Sequence, residues 1–108
     1  MSKKIIMLAC AAGMSTSLMV QKIQQAATAQ NKEYDIFAKS TSDIDSQLNS
    51  DKIPDVVLLG PQVSYLKKDI QSKTDAKNIP MAVMPMMDYG TMNGENILKL
   101  AEDLMGVE

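Results

Sequence analysis

The residue with the clearest chemical potential is Cys10, the only cysteine of the chain. It is followed by Ala11, Ala12, Gly13, Met14, Ser15, Thr16 and Ser17. Sulfur attacks as the thiolate, a form favoured where backbone N–H groups and the positive end of a helix dipole converge on it. Small residues and a glycine let the chain curl so that successive N–H groups face inward, and such a nest also cradles a tetrahedral dianion. The hydroxyls of Ser15, Thr16 and Ser17 can add donors to that nest, cap a following helix, or do both. A lone cysteine in an apolar run is also commonly a small buried hydrophobe. Its place at a strand end, ahead of a loop and a helix, is what favours function.

Absences narrow the chemistry further. All eleven basic residues are lysine, and the 108-residue chain holds no histidine and no arginine. It therefore has no imidazole to bind metal, act as a base or carry phosphate, and no bidentate guanidinium clamp. A single cysteine cannot close an internal disulfide, which fits a reducing, cytoplasmic setting. The formal net charge is −2, and the lysines are scattered apart from Lys3-Lys4 and Lys67-Lys68 with no aromatics between them, so a nucleic-acid partner is not expected. Neither a resident metal nor a cofactor is expected. Lys3-Lys4, an apolar run and Cys10 superficially resemble a lipoprotein signal. The run Ile5 to Ala9 is shorter than the roughly 7–15 residues such a segment needs. No stretch reads as a membrane span.

The elements that must position Cys10 follow from the apolar pattern. Residues 5–9 and 55–59 are continuous apolar runs apart from Asp55, as in strands buried on both faces of a parallel sheet. Tyr34 to Lys39 alternates, which suits a shorter strand near an edge. Residues 79–84, with Pro80 and Pro85 at the ends, suit another edge. Helices are predicted near 16–30, 42–49, 62–73 and 94–105, with Ser42 and Asp45 as an Asp variant of a capping box and Gly90 and Gly94 flanking a loop. With one Phe, three Tyr and no Trp, the core must rest on aliphatics and on many of the ten Met.

The order β-α-β-α-β-α-β-α over residues 1–108 predicts a single-domain α/β fold. Its four-stranded parallel sheet has the order 2-1-3-4 with helices on both faces, flavodoxin-like or low-molecular-weight phosphatase-like. Its switch point lies between the carboxyl ends of the first and third strands, where such sheets bind ligands. Cys10 ends one of these strands and Gly60-Pro61 the other.

Three segments carry a family resemblance, in order along the chain. They are Cys10 to Ser17, Asp55-Val-Val-Leu-Leu-Gly-Pro-Gln-Val-Ser-Tyr65, and Asp88-Tyr-Gly-Thr-Met-Asn-Gly94. Together they resemble the cytoplasmic IIB component of the bacterial phosphoenolpyruvate-dependent phosphotransferase system, lactose/cellobiose/chitobiose type, over the whole chain. The resemblance implies that Cys10 takes phosphate from a phosphohistidine of the IIA component. It then passes the group to a beta-linked disaccharide of the cellobiose, chitobiose or lactose class, held by the membrane IIC component. Ala11 to Ser17 would form the phosphate-binding loop. Gln62, Tyr65, Asp88 and Tyr89 are carried over only as neighbours of the site. Met14, Pro61 and Tyr89 are expected in an apolar rim around Cys10 that meets both partners.

Rival readings fare worse. A low-molecular-weight tyrosine phosphatase needs an Arg where this loop has Thr16. A flavin- or phosphate-binding module would have only Tyr65 and Tyr89 to stack on a ring. A thiol redox protein would want a second cysteine. A response regulator would want acids where Ala9 and Leu59 stand.

Overall fold

The computed structural model describes residues 3–10 and 14–107, with the backbone alone at 14–16. Four strands, β1 (Lys4–Cys10), β2 (Tyr34–Ser40), β3 (Val56–Leu59) and β4 (Met81–Val83), form a parallel sheet in the order β2-β1-β3-β4. Ile6 lies between Ile36 and Val56, and Val57 pairs with Met81. The central places go to the two most apolar strands. Residues 6–9 and 56–59 are all buried, because helices cover both faces.

Strand alternation splits the core in two. Ile6, Leu8, Val56 and Leu58 face α1 (Met14–Ala29), where Met19 and Ile23 cover them. Ile97, Leu98 and Ala101 complete that layer from the C-terminal helix. Met7, Ala9, Val57 and Leu59 face the other way, toward Ile44 and Leu48 of α2 (Ile44–Leu48) and Ile70 of α3 (Lys67–Asp75). Each such aliphatic side chain, fully buried, stabilises the fold by about 1.5–3 kcal/mol. The remaining helices are α4 (Met86–Gly90) and α5 (Gly94–Met105).

Local details depart from the sequence reading. Helix α1 starts at Met14, so Ser15, Thr16 and Ser17 lie in its first turn rather than in a loop before it. The capping oxygen ahead of α2 belongs to Ser40, not Ser42. Ser40 Oγ accepts from the Ser42 N–H at the head of a 3₁₀ turn, Thr41–Asp43, that precedes the helix. A second 3₁₀ segment, Pro61–Leu66, leads into α3, which extends to Asp75. Edge strand β2 is as long as β1, seven residues, because every β2 residue pairs with one of β1. The short helix α4 lies between β4 and the expected loop, which the structure keeps at Thr91, Met92 and Asn93. Five residues are too few for a helical stripe to show in a sequence.

One buried carboxylate ties the start of β2 to α5. Glu102 Oε2 accepts hydrogen bonds from Lys32 Nζ and Tyr34 Oη, both at 2.6 Å. Burial pushes the Glu102 carboxyl up, but the hydrogen bonds from Lys32 and Tyr34 and the nearby Lys32 and Lys99 charges outweigh it. The group is held below the ordinary glutamate range. Tyr34, desolvated and bonded to that carboxylate, is pushed up to about 12. The two signs bracket a pH window. The contribution of Glu102 is full above its unfolded value and fades as pH falls through the lower folded one; that of Tyr34 is full below its unfolded value and fades toward about 12. Glu102→Gln should therefore cost about 1–2 kcal/mol at neutral pH. It should also flatten the acid limb of the stability curve, as urea unfolding across that range will show.

Candidate active site

Cys10 is the last residue of β1, at the carboxyl edge of the sheet, and is 5% exposed. Strict alternation would send it to the side of Ile6 and Leu8. At the strand end it instead joins the layer of Met7, Ala9, Leu59 and Val63. Beside it stands Gly60, which continues β3 and donates its N–H to the Ala9 carbonyl at 2.8 Å. A Cβ on residue 60 would lie 3.1 Å from Cys10 Cβ and 3.2 Å from Gln62 Oε1. The constraint on residue 60 is thus one of space and not of backbone, since its φ of −64° and ψ of 145° suit any residue.

Helix α1 begins four residues after Cys10, so its N-terminus opens at the same edge. The backbone N–H groups of Met14, Ser15 and Thr16 belong to its first turn and have no acceptor within the helix. Moving these residues from loop to helix thus keeps them available as anion donors and adds the helix dipole. Ala11, Ala12 and Gly13 lie outside the described residues. So do the side chains of Met14, Ser15 and Thr16, including the expected place of Met14 in a rim. Ser17 is exposed.

The other predicted neighbours divide. Gln62 is exposed and reaches back over Gly60 beside Cys10. Tyr65, 78% exposed, projects from the segment that follows β3. Asp88 ties α4 to α5 by accepting from Asn96 Nδ2 at 2.9 Å. Pro61 and Tyr89 are buried, and Tyr89 packs in the layer of α1 and α5, so neither forms part of an apolar rim. Among the described side chains, the large apolar ones exposed on the elements that follow β1, β3 and β4 are instead Leu18, Tyr65, Met86 and Met87. Met86 and Met87 carried a faint signal, two apolar residues directly after a strand-ending proline. The nearness of Gly60 to Cys10 follows from the expected strand order, which set the ends of β1 and β3 side by side.

A family model described as "PTS system, Lactose/Cellobiose specific IIB subunit" matches residues 5–100. The chain belongs to that IIB family. It is 52% identical over 107 residues to the galactose-specific EIIB component of Lactococcus lactis subsp. cremoris, covering 97% of this chain and 99% of the relative. The cellobiose-specific EIIB component of Lactococcus lactis subsp. lactis matches equally, at 52% over the same shares. An oligo-beta-mannoside-specific EIIB component of Bacillus subtilis is 38% identical over 102 residues, covering 94% of this chain and 96% of the relative. Among solved structures, a cellobiose-specific IIB component from Borrelia burgdorferi superposes with a TM-score of 0.79 at 38% identity. That match covers 97% of this chain and 94% of the other. A lactose-specific IIB domain from Streptococcus pneumoniae gives the same TM-score at 13% identity, covering 95% and 98%, and shows the shared fold. As a IIB component of the lactose/cellobiose type, the protein is one component of a sugar phosphotransferase. Among its described residues no helix is long and apolar enough to cross a membrane.

Proposed function

We propose that Cys10 is the phosphoryl carrier of this IIB component. It would accept the group from a phosphohistidine of a IIA protein and pass it to a beta-linked disaccharide bound by a membrane IIC protein. The observation that carries the reading is the placement of the only cysteine at the end of β1, beside Gly60 and ahead of the α1 N-terminus. On acceptance, the thiolate's electron pair forms the S–P bond. The N–P pair returns to the imidazole, which takes up the proton lost when the thiol ionised. On donation, a sugar hydroxyl oxygen attacks phosphorus, the S–P pair returns to sulfur, and the hydroxyl proton leaves to solvent or a base of the acceptor. Backbone donors of the segment from Ala11 to Ser17 offset the charge on the three phosphoryl oxygens, in keeping with a reaction governed by alignment and electrostatics. No metal is assigned to the protein itself.

The whole of 1–108 would act as one cytoplasmic domain. Sugar choice would rest with the membrane partner. Relatives named for galactose and for cellobiose are equally similar to this chain, which supports that division. Incubation with a phosphorylated IIA donor should add one phosphate to the intact mass of the protein. A wild type that never gains it would refute the relay.

Leu18, Tyr65, Met86 and Met87, exposed on the elements that follow β1, β3 and β4, would form the surface that both partners meet. Flexible methionines can repack against two different faces. Chemical-shift mapping with the cognate IIA protein should show the largest changes at these four residues. Changes centred on Lys52 or Lys77 instead would rule this surface out.

A further inference from the structure

We infer that Gln62 is a phosphoryl-binding residue of this site, its carboxamide donating a hydrogen bond to a phosphoryl oxygen carried by Cys10; this rests on the cysteine relay proposed above. Gln62 Oε1 and Cys10 Cβ both lie within 3.2 Å of the point where a side chain on Gly60 would begin. A side chain on Gly60 would press on both, so the glycine leaves room for the carboxamide beside the cysteine. Glutamine is exposed at this position, and among the described residues its carboxamide makes no hydrogen bond, so no existing contact must break before it can turn to a new acceptor.

The chemistry of the group matches the task. A phosphoryl dianion on sulfur presents three acceptor oxygens, and the described neighbourhood of Cys10 contains no arginine or histidine to meet them. A carboxamide supplies N–H donors without a titrating proton. It is neither a base that would activate water against the S–P bond nor a cation that would hold the phosphate too tightly to release. The 3₁₀ segment anchors Gln62 between two buried residues, Pro61 and Val63, so the backbone that carries it is held while its side chain stays exposed.

The test compares wild type, Gln62→Ala and Gln62→Glu in single-turnover transfer from a phosphorylated IIA donor, read by intact mass. Alkylation of unphosphorylated Cys10 by iodoacetamide provides a second readout. Loss of one hydrogen bond to a charged group should slow transfer to Gln62→Ala about 10-fold. Gln62→Glu should be slower still, because a carboxylate would face the dianion. Alkylation should proceed at the wild-type rate in Gln62→Ala, since the contact is made to the phosphoryl group and not to the thiol. Transfer at wild-type rates in both variants, with the wild type labelled, overturns the role of Gln62 and leaves the relay standing. Equal slowing of transfer and alkylation in Gln62→Ala also overturns it, by showing a distorted site. A wild type that takes no label refutes the relay, and this inference with it.

Discussion

Cys10→Ser should take no phosphate from a phosphorylated IIA donor, while the wild type gains one. A serine hydroxyl is far less ionised than a thiol near neutral pH, and nothing in the sequence can act as an imidazole base to activate it. The fold should survive. Cys10 is 5% exposed at a strand end, and placing a hydroxyl there costs about 1–3 kcal/mol if its oxygen finds no partner. That is affordable against the roughly 5–15 kcal/mol by which a domain is stable. Far-UV circular dichroism and an amide correlation spectrum should therefore match the wild type away from residues 9–18. A labelled serine variant would show that phosphate resides elsewhere.

Gly94→Ala should be the most destabilising glycine-to-alanine substitution among the described residues. A Cβ at this position would sit 2.3 Å from the Lys22 carbonyl oxygen, 2.5 Å from the Lys22 carbonyl carbon and 2.9 Å from Ile23 N. All three are backbone atoms of α1, so no rotamer change can relieve the contact. The first turn of α5 would have to move off α1, loosening the packing of Ile23 and Ala27 against Ile97 and Ala101. A cost of about 3 kcal/mol is expected. For a domain of this length, that lowers Tm by on the order of 15 °C. Gly90→Ala is the control: a Cβ there meets nothing within 4 Å, and its Tm should be near that of the wild type. A Gly94→Ala variant as stable as Gly90→Ala would show that the two helices do not approach so closely.

The sheet was legible in the sequence because each strand signals itself locally. Residues 5–9 and 55–59 are apolar on both faces, which only a central parallel strand requires, and that places β1 and β3 together in the middle. Once their carboxyl ends are neighbours, Cys10 and Gly60 fall at one edge without any further information. The long helices α1 and α5 were legible for the same reason, an apolar stripe sustained over three or more turns. Local chemistry was harder. Ser40 rather than Ser42 supplies the cap because the choice depends on where β2 ends, and its pairing with β1 decides that.

Tertiary structure alone decided which side chains are exposed. Tyr65 and Tyr89 look alike in sequence, each just past the end of a strand, yet one is 78% exposed and the other 7%. The difference is that Tyr89 packs into the buried layer with Ile97, Leu98 and Ala101, which leaves Met86 and Met87 on the outer side of α4. The close approach of Gly94 to the backbone of Lys22 was equally invisible. It joins segments far apart in the chain, and a glycine kept for lack of room looks the same in a sequence as one kept for a turn. The chemistry of the site is thus written in the residue types around Cys10, whereas the neighbours within its reach are set by how two distant strand ends and the α4–α5 pair come to rest.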